Sequence, residues 1–203
     1  MQHAMISVRA TGYAPGSSIL TIGAVRFNPF EDDLTPDWRH IADSQPARVF
    51  YRRIDRASNV AAGLVDDEET LVAIAMQAEV EDIAEMFGGD QPRAPLPDAL
   101  RDLRHWLCAP MPADHKLLVI QRRPVAVWGC LAGIDIGLLD AAYRAVSQPK
   151  AWTWRDIRDA WTLLDYADIA RPGPTPHAMA DAIAYAAAVQ RAYSQRVWGE
   201  PGQ

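Results

Sequence analysis

The sequence predicts an α/β fold, and three patterns carry that expectation. Two apolar runs, Met5-Ile6-Val8 and Ile19-Leu20-Ile22-Val25, flank the turn formers Gly12, Pro15 and Gly16, as in a two-stranded hairpin. Further along, Leu96, Leu100, Leu103 and Leu107 recur at helical spacing. Between helix-like segments lies the unbroken run Val125-Ala126-Val127-Trp128, which reads as a central strand. Strands followed by helices along one chain make an α/β architecture.

Each element follows in order. Residues 28–48 are polar, carry three prolines and break the apolar periodicity, so a long loop or insertion is expected there. Val49-Phe50-Tyr51-Arg52-Arg53-Ile54 reads as a third strand. Residues 66–87 are rich in helix formers, with Asp66 or Asp67 as N-cap and Gly88-Gly89 as stop. The next helix opens at Pro97, where a fixed φ suits the first turn, and runs to Leu107. Residues 116–121 and 125–128, separated by Arg122, Arg123 and Pro124, are either two strands or one irregular strand. Asp135 opens a helix with Leu138, Leu139, Ala142, Tyr143 and Val146 on one face. Two more helices are expected, over residues 154–167 around Ile157, Trp161 and Leu164, and over the Ala-rich residues 176–198. With no internal repeat or low-complexity linker, residues 1–203 are expected to form one domain.

Composition bounds the function. A net charge of -6 and a pI near 5.3 argue against a bulk electrostatic grip on nucleic acid and leave room only for a local basic patch. Cys108 and Cys130 are far apart, lack metal-ligand spacing and make no disulfide framework, which suits a reducing cytoplasm. No apolar run approaches the roughly 18 residues of a membrane span, and the first residues lack a signal-peptide pattern, so no membrane association is expected.

Several stretches together resemble one family. They are Ile19-Leu20-Thr21-Ile22-Gly23-Ala24-Val25-Arg26-Phe27, Trp128-Gly129 with Asp135, Leu138-Leu139-Asp140-Ala141-Ala142-Tyr143, Trp152-Thr153-Trp154-Arg155-Asp156-Ile157-Arg158, and His177-Ala178-Met179-Ala180-Asp181-Ala182. The chain resembles the DEDD 3'-to-5' exonucleases, the DnaQ-like superfamily, and most closely the small exoribonuclease branch of bacteria and phages. The resemblance implies a ribonuclease H-like fold, with a mixed central sheet flanked by helices. In that family two divalent ions about 4 Å apart activate water and stabilise the leaving oxygen, and such hard ions demand carboxylate oxygens. The family carries D-x-E on its first strand, where residues i and i+2 share a face. Here those positions fall on Ser7 and Arg9. A hydroxyl is a poor anchor for Mg²⁺ or Mn²⁺, and a guanidinium repels them.

The resemblance further implies that Asp135 and Asp181 are the two retained acids and that His177 is the remnant of the general base. His177 stands four residues before Asp181, one fewer than in the family, so the base is expected to be misplaced. Asp135, His177 and Asp181 are thus the candidate catalytic set, with Ser7 and Arg9 beside them. Arg9 is expected to take the place of a metal and neutralise both carboxylates. No cofactor is expected on this reading; on the other, Asp135 and Asp181 are the residual ligands for Mg²⁺ or Mn²⁺.

Plain structural readings stand beside these. Asp135 alone is more often an N-cap, His177 a first-turn residue, and Asp181 an exposed acid. Arg155 and Arg158 are the candidate nucleic-acid contacts, against a solvated helix face paired with Asp156 and Asp159. Trp128, Trp152, Trp154 and Trp161 fit a core better than a base-stacking platform. Asp67-Glu68-Glu69-Thr70 resembles a family element, yet Ala73, Ile74 and Gln77 follow where the family has a Trp pair, so the substrate-facing surface is altered. Two functions follow. One is a catalytically degenerate pseudo-exonuclease that binds a single-stranded RNA or DNA 3' end or a protein partner, a second copy in a homodimer included. The alternative is an active metal-dependent 3'-5' exoribonuclease with rearranged metal ligands.

Overall fold

The structure is a computed structural model that describes residues 2–35, 37–77, 80–89, 92–109, 125–173, 175 and 177–198. Five strands form one sheet: β1 (Gln2–Ala10), β2 (Ile19–Phe27), β3 (Val49–Arg53), β4 (Val125–Gly129) and β5 (Ile157–Asp159). Their order is β3-β2-β1-β4-β5. β1 pairs antiparallel with β2 and β2 antiparallel with β3, whereas β1, β4 and β5 run parallel, so the sheet is mixed. The hairpin sets Met5 opposite Val25 and Ser7 opposite Gly23. Its turn needs Gly16, whose φ of 104° suits a residue without a Cβ. The register slips between Arg9 and Ala10, and such a bulge re-aims the side chains beside it.

Eight helices lie among the described residues: α1 (Trp38–Ser44), α2 (Arg56–Ala61), α3 (Glu68–Gln77), α4 (Val80–Phe87), α5 (Leu96–Cys108), α6 (Ala132–Ala145), α7 (Ala160–Tyr166) and α8 (Ala178–Trp198). Strand alternation sorts the core into two layers. Ala4, Ile6 and Val8 pack with Leu96, Leu100 and Leu103 of α5 and Leu139 and Tyr143 of α6. Met5, Val25 and Trp128 pack on the other side with Ile183, Ala186 and Val189 of α8 and Leu164 of α7. Ser7 and Arg9 share the parity of Met5 and so belong to the α8 side. A Cβ added at Gly23 would lie 2.2 Å from the Met179 nitrogen, so the N-terminal turn of α8 rests directly on the β2 backbone.

Two expectations are corrected, at residues 28–48 and 154–167, while the helical region at 66–87 is found as expected. Residues 28–48 are more than a loop: Asp37 accepts from His40 N at 3.2 Å and opens α1, whose Ile41 is buried, and a 3-10 turn follows at Pro46–Arg48. Residues 66–87 form two helices, with Asp67 accepting from Thr70 N at 3.0 Å and the chain leaving α4 at Gly88. Residues 154–167 depart furthest. Trp154–Asp156 is a 3-10 turn, Ile157–Asp159 is strand β5, and helix begins only at Ala160. The open edge of β4 needs hydrogen-bonding partners, and that tertiary demand outweighs local helix preference. Residues 116–121, expected as a strand, lie outside the described residues with Arg122, Arg123 and Pro124. No helix among the described residues is long and apolar enough to cross a membrane.

Gly23→Ala drives a methyl group into the α8 backbone, which cannot yield as a side-chain tip does. A loss of about 1–3 kcal/mol in urea unfolding is expected. Unchanged stability would mean that α8 stands farther from β2.

Candidate functional site

Asp135 sits in the first turn of α6, where the N-cap residue Leu131 brings no side-chain cap of its own. The Asp135 carboxylate supplies the missing acceptor: Oδ2 takes the N–H of Leu131 at 2.9 Å, and Oδ1 takes the N–H of Val8 in β1, also at 2.9 Å. The chain turns tightly from β4 into α6, since a Cβ on Gly129 would lie 2.5 Å from the Ala132 Cα. Burial pushes the Asp135 carboxyl up to about 6, against the two N–H bonds and the charge of Arg9, while the Asp181 charge raises it further.

Asp181, in the first turn of α8, is also fully engaged. Its Oδ1 accepts from Thr175 N at 2.9 Å, and its Oδ2 accepts from Arg9 Nη2 at 2.7 Å. The same Arg9 nitrogen donates to the Thr175 carbonyl. The pair is sheltered, with side-chain exposures of 25% for Arg9 and 8% for Asp181. Arg9 therefore pairs with one of the two carboxylates, not with both as expected; the Asp135 oxygens are already aimed at backbone donors and meet Arg9 only through its field. Ser7 is buried beside Cys130, whose thiol is pushed up by burial and then by the charges of Asp135 and Asp181.

His177 precedes α8, and its carbonyl accepts from Asp181 N at 3.0 Å. Its ring lies between Trp38 and Tyr51, with centroids 4.4 Å from each. Its Nδ1 accepts from Met179 N at 3.2 Å. Burial first, then the charges of Arg9, Arg39 and Arg53, push the imidazole down to about 4, so the ring is neutral at pH 7. Tyr51 donates its hydroxyl proton to Glu85 Oε1 at 3.0 Å, and Thr21 Oγ1 and Ala178 N donate to the same oxygen at 3.1 and 3.2 Å. Burial raises the pKa of Glu85 above its usual value, against the hydrogen bonds from Ala178, Tyr51 and Thr21. Thr175, Glu85, Thr21, Tyr51 and Trp38 went unforeseen. Tyr51 had a signal in its alternation on β3, and Thr175 lies only two residues before His177; Glu85, Thr21 and Trp38 reach the site from segments remote in sequence.

The other candidates lie apart. Arg158 is on β5, not on a helix face, and its Nη1 donates to the Arg155 and Ile157 carbonyls at 2.7 and 2.8 Å. Arg155 lies over the Trp154 ring, 5.1 Å from its centroid. No described hydrogen bond joins either arginine to Arg9, Asp135, His177 or Asp181. Trp128 and Trp152 are core residues, whereas Trp154 is 75% exposed.

The donor set does not fit a two-ion centre. Every oxygen of Asp135 and Asp181 already accepts an N–H, and a fixed guanidinium charge stands against Asp181. Among the described residues, no group of three or more His, Cys, Asp or Glu side chains is placed to hold a metal ion. The arrangement offers instead a sheltered, acid-paired cation beside a neutral imidazole packed against two aromatic rings.

A family model described as the 3'-5' exoribonuclease Rv2179c-like domain matches residues 2–193. Among solved structures, the chain is similar to the nuclease domain of 3'hExo, a DEDDh family member, bound to rAMP. That likeness covers 96% of this chain and 92% of the other at a TM-score of 0.52 and 10% identity. It shows the fold, the mixed-sheet ribonuclease H-like fold of DEDDh exonucleases. No curated protein matches the chain.

Two measurements probe this geometry. Arg9→Met leaves the sheltered Asp181 carboxylate without its cation and is expected to cost about 3 kcal/mol in urea unfolding, with most of it recovered when Asp181→Leu is added. A cost below about 0.5 kcal/mol would place the pair in open solvent. His177 takes up its proton near 4 when folded and near 6.5 when unfolded, so the unfolded chain binds the proton first as pH falls. Its contribution to stability is complete above about 6.5 and is lost as pH drops through 4; the lowered His3 acts in the same direction. His177→Phe is expected to flatten that acid limb. A proton NMR titration of the wild-type ring is expected to show a midpoint near 4, and an ordinary midpoint near 6.5 would rule out the aromatic sandwich.

Proposed function

Because the chain belongs to the Rv2179c-like 3'-5' exoribonuclease family, we propose that it keeps the family scaffold to hold the 3' end of a single-stranded RNA without cleaving it. The observation that carries this reading is the Arg9–Asp181 ion pair, in a site where each oxygen of Asp135 and Asp181 accepts an N–H. Ser7 and Arg9 stand at the two first-strand acid positions of the family, so the oxygen ligands for two ions are missing on the central strand. His177 is poorly suited to take a proton from water, because its Nδ1 already accepts the Met179 N–H and its ring is packed between two aromatics. Arg9, 25% exposed, carries the planar guanidinium donors that suit a strand phosphate. The rAMP bound to the nuclease domain of 3'hExo supports a ribonucleotide as the ligand class. Arg155, lying over the exposed Trp154, and Arg158 supply a second strand contact. Cys108 and Cys130 are free, in keeping with a cytoplasmic protein.

A second reading, an active exoribonuclease, is favoured by the family match over residues 2–193. It requires Mg²⁺ or Mn²⁺ on Asp135 and Asp181 together with ligands recruited from elsewhere, and the disruption of the Arg9 pair.

Thermal melting with and without millimolar Mn²⁺, run beside digestion of a 3'-labelled RNA, separates the two. The expected result is no metal-dependent shift and no shortening, with RNA binding that weakens steeply with salt and needs no metal. Ser7→Asp combined with Arg9→Glu is expected to introduce a Mn²⁺-dependent rise of several degrees, since a ligand that binds only the native state must stabilise it. Stepwise shortening of the RNA by the unaltered chain in Mn²⁺ would establish the active enzyme.

A further inference from the structure

A cavity of about 370 Å³ opens beside the last residues of β3, lined by Tyr51, Arg52, Arg53, Pro92, Arg93 and Ala94. Three of these six residues are arginines, in a chain whose net charge is -6. Backbone bonds hold the cluster together. Ala94 N donates to the Arg53 carbonyl at 2.8 Å and Asp55 N to the Ala94 carbonyl at 2.9 Å, so Arg53 and Arg93 are locked side by side.

Their own partners leave the charge in place. Arg53, 6% exposed, donates through Nη2 to the Ala84 and Gly88 carbonyls at 2.7 and 2.9 Å, and its buried Nε has no partner. Arg93 donates through Nη2 to the Met86 and Gly88 carbonyls at 2.9 and 3.0 Å and through Nη1 to the Ile54 carbonyl at 3.3 Å. Carbonyls satisfy N–H groups without cancelling a formal charge. Of the nearby acids, Asp102 pairs with the exposed Arg52, whereas Asp55 caps α2 through Ser58 N and Glu85 Oε1 takes three other donors, and these two act on Arg93 through their field. Burial, followed by the charge of Arg53, pushes Arg93 below its usual range, as expected of like charges held together without enough counter-charge.

We infer that the Arg52–Arg53–Arg93 cavity is a phosphate site that takes the phosphate group of a nucleotide or of an RNA backbone. The planar, forked donors of arginine match phosphate oxygens, and three arginines share the lining of this one cavity. The volume holds a phosphate with its ribose. Tyr51 forms one wall of the cavity and also packs its ring against His177 at 4.4 Å, so the phosphate site adjoins the candidate site across a single ring. The inference goes beyond the strand-holding reading and stands whether or not a 3' end is held at Arg9.

Isothermal titration calorimetry on the full chain with inorganic phosphate, 5'-AMP and adenosine tests it. Phosphate and 5'-AMP are expected to bind saturably and adenosine not to bind. Arg93→Gln is expected to weaken 5'-AMP binding at least tenfold, and Arg101→Gln, on the exposed Arg101–Asp98 pair of α5, to leave it unchanged. Because Arg93 also supports α4, Arg52→Gln, at an exposed side chain that pairs with Asp102, donates to the Tyr51 carbonyl and lies over the Phe50 ring, provides a second variant with the same expected direction. Adenosine binding as tightly as 5'-AMP, no saturable heat from phosphate or 5'-AMP, or full affinity in both variants would each overturn the site. An oligoribonucleotide that displaces inorganic phosphate makes a strand the source of the group, and one that does not makes it a free nucleotide; either supports phosphate recognition. RNA cleavage, or failure of a strand end to bind at Arg9, leaves these phosphate measurements readable.

Discussion

The candidate site depends on β1 being hydrogen-bonded along both edges. Its pairing with β2 extends from His3 to Ala10, whereas its pairing with β4 stops at Ile6 opposite Gly129. Beyond that point the buried strand still carries N–H groups that need acceptors, and an unmade bond there is costly. Asp135 takes the Val8 N–H, so a side chain from α6 continues where the backbone ladder ends. The same carboxylate caps α6 through Leu131 N. Asp135 thus joins the central strand to the helix that follows β4, and the fold has reason to keep this carboxylate whether or not it binds an ion.

Asp181 is held by a comparable logic on the opposite layer. It ties Thr175 to the first turn of α8 and receives the charge of Arg9. A negative group near a helix N-terminus also complements the helix dipole. Placing the positive partner on β1 makes the pair a clamp between the sheet and α8, at the end where Gly23 lets that helix touch the strand backbone. His177, Tyr51 and Trp38 close the adjoining space by ring stacking, and Glu85 gathers the Tyr51 hydroxyl, the Thr21 hydroxyl and the Ala178 N–H at one oxygen. Each group expected to serve catalysis therefore has structural work in the fold.

The acidic balance of the chain conceals an uneven distribution. Arg53 and Arg93 converge on the last carbonyls of α4, where the helix dipole is negative and cations are favoured. Stabilising that helix end brings guanidinium groups together at a cavity wall, a concentration of charge that the composition does not reveal.

The sequence by itself determined what depends on near neighbours. Hairpin alternation, the leucine face of α5, the apolar face of α6 and the long α8 follow from periods of two and 3.6 residues, and parity alone put Ser7 and Arg9 on one face of β1. Tertiary structure decided the rest. Residues 157–159 became a strand because β4 had a free edge, and α1 formed in a stretch whose polar residues hid the buried Ile41. Arg9 meets Asp181 and Thr175, and not Asp135, through contacts that span more than 160 residues of chain. Tyr51 and Trp38 reach His177, and Glu85 reaches Ala178, in the same way. Local patterning fixes which way a side chain points, but which partner it meets depends on the packing of distant segments, and no short window of sequence records that.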